Sequence, residues 1–397
     1  MDLAIKDVRH HLGKFAVTIV GVSLLLTIVL IMNGIYQGNI SDGLWLIDNT
    51  RADLWVVERN RGGPFNEQSR VAEDVYRSVA AVPGVAQSSP FITYNVEREV
   101  AGTSQHFTII GYDVFGGLGG PARIVTGRPI TRAHYELVAD EKLGLRLAEV
   151  VRLGVHDYEV VGLTRGAVDF GGNPLAYLSL HDAQEVLFQQ DNRALQASRA
   201  AALRRLERAG TTSEEAARLA PLLSAPTDTT NAVLVRLVPG VDRRAVAQHI
   251  EEWLYLSAFT PEQQRDLMLK GRLQRMMAIL GLFRSLLVVV SIIIIALIVY
   301  VLTIEKIKSI ATLKLLGATN WVIVRLILEQ SLVLTVAAFL LAWASAELVK
   351  DSLPRSLLLL PAETLVTFLV IFAGGIVASL MAIWRALRTP PSLALGG

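Results

Sequence analysis

The residues with the clearest chemical character lie between Glu305 and Gln330, in EKIKSIATLKLLGATNWVIVRLILEQ. There Lys306, Lys308, Lys314 and Arg325 stand between two strongly apolar runs. Cations grouped in this way can neutralise nucleic-acid phosphates, rest on a lipid surface or mate with another protein. The formal net charge of the 397-residue chain is only +2, so nucleic acid gains no support from charge balance. Arg325 and Glu329 are four residues apart on one helical face, where they can pair at a membrane boundary. Other reactive constellations are missing. The chain has no cysteine, which excludes disulfides, thiolate metal sites and cysteine nucleophiles. It has no G-x-x-x-x-G-K-[ST] to cradle nucleotide phosphates, no H-E-x-x-H and no G-x-S-x-G. The 7 histidines include no pair at helical ligand spacing, and His10 and His11 are adjacent and point to different faces. FGGLGGP (Phe115 to Pro121) and FGGN (Phe170 to Asn173) open no helix after a strand and read as loops. The expectation is a chain with no catalytic residue, no metal site and no cofactor of its own.

The elements that must carry the cations are apolar helices. The chain is 52% hydrophobic and 19% charged, below the roughly 25% charged residues of ordinary soluble proteins. Phe15 to Ser41, Ser285 to Ile304, Gln330 to Ala346 and Thr364 to Trp384 contain no charge. Each approaches the ~20 residues that cross a ~30 Å hydrocarbon core. The third is lengthened by Leu326, Ile327 and Leu328. The first is too long for a signal-peptide core and lacks a small-x-small cleavage site after it, so it reads as a retained anchor. Four spans are expected, at 15–41, 279–304, 321–346 and 364–384.

Short-loop cations orient them. Lys6, Arg9 and Lys14 precede the first span, Lys306, Lys308, Lys314 and Arg325 lie between the second and third, and Arg385 and Arg388 follow the fourth. By the positive-inside rule both termini (1–14 and 385–397) and the 305–320 loop face the cytoplasm. Arg272, Arg275 and Arg284 then stand on the other side, against the rule. The segment 42–275 and the short loop 347–363 become extracytoplasmic. The fold class is thus an α-helical membrane protein with four transmembrane helices and a large α+β extracytoplasmic domain between the first and second.

Within that domain ADLWVVE (Ala52 to Glu58) reads as a strand, Val71 to Val82 as an amphipathic helix, and SPFITYNVEREV with QHFTIIGYD as a hairpin around Gly102. YELVADEKLGLRLA, HDYEVVGLTRG and LAYLSLHDAQEVL form a β-rich block, and Asn231 to Leu254 a strand, turn and helix. This suggests two α+β halves with an inserted β-rich lobe. Gln190 to Pro226, rich in Ala and Arg, reads as a solvated helical excursion. At the N-terminus Leu3, Val8, Leu12 and Phe15 make an apolar stripe after Asp2, as in a helix lying in the membrane interface.

Glu305 to Leu316 can continue the second span, with Ile304, Ile307, Ala311 and Leu315 on one side. Gly317 supplies a positive-φ stop, Thr319 or Asn320 can cap the next helix, and Trp321 sits where an interfacial aromatic belongs. On physical grounds alone the loop is either a topology signal closed by a tight turn or a surface that mates with a partner.

IATLKLLGATNWVIVRLILEQSLVL resembles the signature region of the MacB/FtsX/LolC superfamily of ABC transporter permeases. VAAVPGVAQSSP and GRPITRAHYELVADEKLGLRLAEVVRLGVHDYEVVGL resemble its outer domain, and the four-span layout matches throughout. Length and the lack of a fused ATPase are closer to the separate-subunit, DevC-like branch. The resemblance implies that Lys306, Lys308, Ser309, Lys314, Leu315, Gly317 and Ala318 form the contact with a separate ABC ATPase. That partner, in two copies, would bind ATP and Mg. It also implies a second permease copy, an adaptor of the membrane-fusion type as a further partner, and residence in the bacterial cytoplasmic (inner) membrane. The implied function is ATP-driven export or extrusion by mechanotransmission. The alternative it leaves open is an FtsX-like signal transmitter that regulates a cell-wall hydrolase. A receptor or enzyme merely anchored by four helices finds no catalytic constellation here.

Because the chain lacks cysteine, single-cysteine labelling tests this orientation directly. A cysteine at Ser104 is expected to react with an impermeant reagent in intact cells whose outer membrane, where there is one, has been permeabilised. One at Ser309 is expected to stay unlabelled; the reverse pattern would invert the topology.

Overall fold

The computed structural model describes residues 12–388 except 62, 64–68, 101–102, 155, 188–202, 207, 209–214, 216–228, 254 and 351–356. The N-terminal stripe up to His11 and most of the Gln190 to Pro226 excursion lie outside the described residues, as does Gly102. The chain divides into two compact units, one of residues 1–39 with 275–397 and one of 40–274.

Among the described residues four helices are long and apolar enough to cross a membrane: α1 (Leu12–Asn49), α5 (Arg272–Glu305), α7 (Asn320–Val349) and α8 (Pro361–Leu387). Each outruns its uncharged core. Hydropathy marks the thickness of the lipid, whereas the helix stops only where its hydrogen bonding is replaced. Between α5 and α7 lies the short helix α6 (Ile307–Leu315). One apolar cluster joins Leu26 and Leu30 of α1, Ile295 of α5, Ile310 of α6, Ile327 and Leu334 of α7, and Ile371 and Ala386 of α8.

Small residues let these helices approach closely. A Cβ on Gly374 would sit 2.6 Å from the Ile292 side chain, and Ser331 Oγ donates to the Gly375 carbonyl at 3.3 Å. Arg284, anomalous by the positive-inside rule, lies over the Tyr36 ring at 5.4 Å and 3.9 Å from Glu363.

The unit 40–274 is α+β. Its strands are β1 (Leu54–Glu58), β2 (Val71–Ala72), β3 (Val85–Val100), β4 (Thr103–Tyr112), β5 (Thr126–Gly127), β6 (Glu136–Asp140), β7 (Val150–Leu153), β8 (His156–Thr164), β9 (Leu175–Ser179), β10 (Thr229–Thr230), β11 (Ala232–Leu237) and β12 (Leu256–Phe259). Its helices include α2 (Val75–Ala80), α3 (Arg243–Glu251) and α4 (Pro261–Lys270). The main sheet runs β12-β1-β11-β3-β4-β9-β6-β8-β5, with β7 on β8, while β2 and β10 pair separately. The expected hairpin is present, with Phe91 opposite Tyr112 and Val100 opposite Thr103.

Two expectations change. The opening and closing strand–helix segments do not stand as two halves. Instead β1 lies between β11 and β12, so Leu54, Val56, Val233, Val235, Val79 and Ile250 share one core. The helix expected over Val71 to Val82 is cut to α2, because Val71 and Ala72 pair with Thr230 and Thr229. Strand pairing outcompetes local propensity there. The LWVV run of β1 is buried on both sheet faces: Leu54 and Val56 face α2 and α3, while Trp55 and Val57 join a second core with Phe91, Leu234 and Met268. The mid-sequence strands close a third core around Phe107, Ile109, Leu137 and Tyr158.

An ion pair pins the β5–β6 connection. Glu136 is 2% exposed and takes Arg128 in a bidentate grip at 2.7 and 3.1 Å, with the Thr131 and Arg132 N–H groups donating to the same carboxylate. The Arg128 hydrogen bond, helped by those N–H groups, holds the Glu136 carboxyl down at about 2 from an ordinary 4.5. A depressed acid stabilises the fold above its unfolded pKa and loses that contribution as the pH falls through its folded value. The thermal stability of the full chain is therefore expected to fall as pH drops from 4.5 toward 2. Glu136→Gln should cost about 1–3 kcal/mol at neutral pH and flatten that acid limb. An unchanged acid limb in the variant would remove Glu136 from the account.

Candidate functional site

The cationic loop is built from two backbone breaks. After Glu305 the chain leaves the helix at Lys306 (φ −95°, ψ 6°), in the sparsely populated bridge region, with its N–H turned to Thr303 O at 3.2 Å. The expected continuation of the second span through Leu316 is thus interrupted, and α6 is a separate helix. The second break is a Schellman turn. The Ala318 N–H donates to Leu313 O at 2.9 Å, the Gly317 N–H donates to Lys314 O at 3.1 Å, and Gly317 has φ +90°. Thr319, extended at φ −70° and ψ 154°, precedes α7 without a side-chain cap.

The buried side of α6 is Ile310 and Ala311, whereas Ile304 and Leu315, expected on one side with Ala311, are exposed. The break at Lys306 separates Ile304, at the end of α5, from Ala311 of α6, and Leu315 stands at the last position of α6.

The cations divide. Lys306 is half-buried; its Nζ lies 5.8 Å from the Phe15 ring centroid and donates to Gln330 Oε1 at 3.4 Å. Lys314, also half-buried, donates to the carbonyls of Leu387 (2.7 Å) and Ala386 (3.3 Å) at the end of α8. Beside them Lys14 pairs with Glu305 at 3.3 Å on an exposed surface. Arg325 Nε lies 2.9 Å from Glu329 Oε1, so the i,i+4 pair is made.

What faces outward is Lys308, Ser309, Thr312, Leu315 and Leu316, with Trp321 beyond the turn. Leu316 is 80% exposed and Trp321 70%. Of the residues singled out by sequence, Lys308, Ser309, Leu315 and Gly317 reach this surface, Ala318 is half-buried, and Lys306 and Lys314 turn inward. Thr312, Leu316 and Trp321 belong to the surface and were not in that set. Helical periodicity marks Leu316 as falling outside the Ile310–Ala311 stripe, a signal of an apolar side chain left in the open.

Together, four spans, an α+β domain inserted after the first, and a short helix between two backbone breaks define a class of polytopic membrane protein. Residues 15–253 match the family model for the MacB-like periplasmic core domain, and residues 281–391 match the FtsX-like permease C-terminal model. The chain belongs to this family: it is an ABC transporter permease of the MacB/FtsX type.

Among curated relatives, the uncharacterized ABC transporter permeases Rv0072 of Mycobacterium tuberculosis and Mb2592 of Mycobacterium bovis are each 22% identical over 47% of this chain and 52% of their own. The chain spans about half the length of the curated relatives it matches. The periplasmic region of MacB from Actinobacillus actinomycetemcomitans is similar at TM-score 0.34 and 10% identity, over 56% of this chain and 96% of that one. The extracellular domain of YknZ, a noncanonic ABC-type transporter from Gram-positive bacteria, is similar at TM-score 0.33 and 12% identity, over 52% and 100%. At those scores the likeness adds nothing to the strand order described above.

The turn makes a testable demand. No atom lies within 4 Å of a Cβ added to Gly317, so the penalty of Gly317→Val is conformational, about 1–3 kcal/mol for a β-branched residue at positive φ. Hydrogen exchange at the amides of positions 317 and 318 is expected to accelerate by roughly 5–150-fold. Gly317→Asn, which tolerates this region, should change it less. Equal protection in the Val variant would show that the turn does not depend on glycine.

Proposed function

We propose that this permease is the membrane subunit of an ATP-driven exporter or extruder that works by mechanotransmission. A separate ABC ATPase, in two copies, binds ATP and Mg. Two permease copies lie in the bacterial cytoplasmic membrane with their termini and α6 on the cytoplasmic side, and the inserted domain acts outside. Closure of the ATPases pushes α6, the spans shift as rigid helices, and the inserted domain moves. No substrate passes through a channel between the spans.

The observation that carries this reading is the outward surface of α6, where Leu315 and Leu316 stand exposed beside Lys308 and close to Trp321. An exposed apolar patch rimmed by a cation suits a protein partner. The surface sits at a helix end closed by a rigid turn, so a force applied there moves backbone rather than a loose loop.

The purified full chain is expected to lack ATPase activity and to co-purify from its own cells with a nucleotide-binding subunit. Leu316→Glu should abolish that association. Lys308→Gln should weaken it most at low salt, since exposed charges are screened within ~8–10 Å at physiological ionic strength. Robust hydrolysis by the isolated chain would contradict the proposal. A co-purifying cell-wall hydrolase with no ATP-dependent export would redirect it to signal transmission.

A further inference from the structure

The inward turn of Lys314 has a mechanical consequence. The last carbonyls of a helix have no partner within it, and they carry the negative end of its dipole. At the end of α8 two of these, Ala386 O and Leu387 O, accept from the Lys314 ammonium at 3.3 and 2.7 Å. Lys314 belongs to α6, not to a span, and lies one turn before the Schellman closure at Gly317. Helix α6 therefore has three different attachments. To α5 it is joined through one residue, Lys306, in the bridge region; to α7 through a compact turn; and to α8 through a charge-assisted bridge beside the apolar cluster to which Ile310 and Ala386 both belong.

We infer that Lys314 is a positioning residue that ties α6 to the end of α8, so that displacement of α6 is conveyed along α8 and not only through α5 and α7. This rests on the reading of α6 as the surface on which an ATPase pushes. The break at Lys306 lets α6 change its angle to α5, whereas an ammonium held by two carbonyls resists separation from α8. Helix α8 is continuous from Leu387 to Pro361, so a displaced C-terminus moves its other end, where Glu363 faces Arg284 of α5.

Two spin-label pairs in the full cysteine-free chain test this. The first, Thr312→Cys with Arg388→Cys, both exposed, measures the tether without any nucleotide or partner. The wild-type background and Lys314→Arg, which keeps charge and donors, should give a narrow distance distribution, and Lys314→Met a broad one. An equally narrow distribution in the Met variant would overturn the tether whatever the ATPase does.

The second pair, Leu348→Cys with Leu365→Cys, reports the far ends of α7 and α8 in the chain co-purified with its ATPase. Trapping with ATP and vanadate should shift this distance in the wild type and in Lys314→Arg. In Lys314→Met the shift should be lost while ATPase association and hydrolysis persist. A full shift in Lys314→Met would overturn the conveying role and leave the mechanotransmission reading intact. A wild type with no shift would overturn both.

Discussion

Inside hydrocarbon no water replaces a lost backbone hydrogen bond, so a segment that spans outside a closed barrel must satisfy its own backbone as a helix. That constraint organises the whole membrane unit. The spans are stiff rods, and any change of direction must be placed where the backbone can be satisfied otherwise. Lys306 and the Gly317 turn are two such places, and both satisfy their amides locally, through Thr303 in one case and through Lys314 and Leu313 in the other. Among the described residues of this unit, the short helix between them is consequently a part that can change angle without unravelling a span.

The side chains around that helix follow from its position. Lys306 and Lys314 sit close enough to the spans to find acceptors, Gln330 Oε1 and the α8 carbonyls, and are taken up by them. Lys308, on the opposite side of the helix, has solvent before it. The exposed Lys14–Glu305 pair contributes little to stability by comparison, as solvated pairs generally give about 0–1 kcal/mol. The inserted domain answers the same need for stiffness by other means. Strand β1 is buried on both faces and held on both edges, by β11 and β12, so its opening and closing segments cannot move apart without breaking the sheet.

Much of this was legible in the sequence because it is local. Uncharged runs give the spans, the alternation of SPFITYNVEREV and QHFTIIGYD gives a hairpin, and a glycine after Leu-Leu gives the helix stop. The rest depends on partners far along the chain. Nothing near Val71 announces that it pairs with Thr230, and the helix expected there is shortened for that reason. Lys306, Lys308 and Lys314 look equivalent as letters. Only the positions of Phe15, Gln330 and Leu387 separate two tethers from one outward charge. Ile304 parts from Ala311 for a related reason, since a single bridge-region residue separates α5 from α6 and leaves no mark in composition.

The central claim is that the nucleotide state of a separate ATPase sets the arrangement of the inserted domains. The most direct test is single-molecule energy transfer between dyes at Ser104→Cys in two copies, in the complex purified with its ATPase and followed through hydrolysis. Ser104 is exposed at the start of β4, a strand held in register with β3. Mechanotransmission predicts two distances that alternate with ATP binding and hydrolysis. A single constant distance while ATP is being hydrolysed would contradict it.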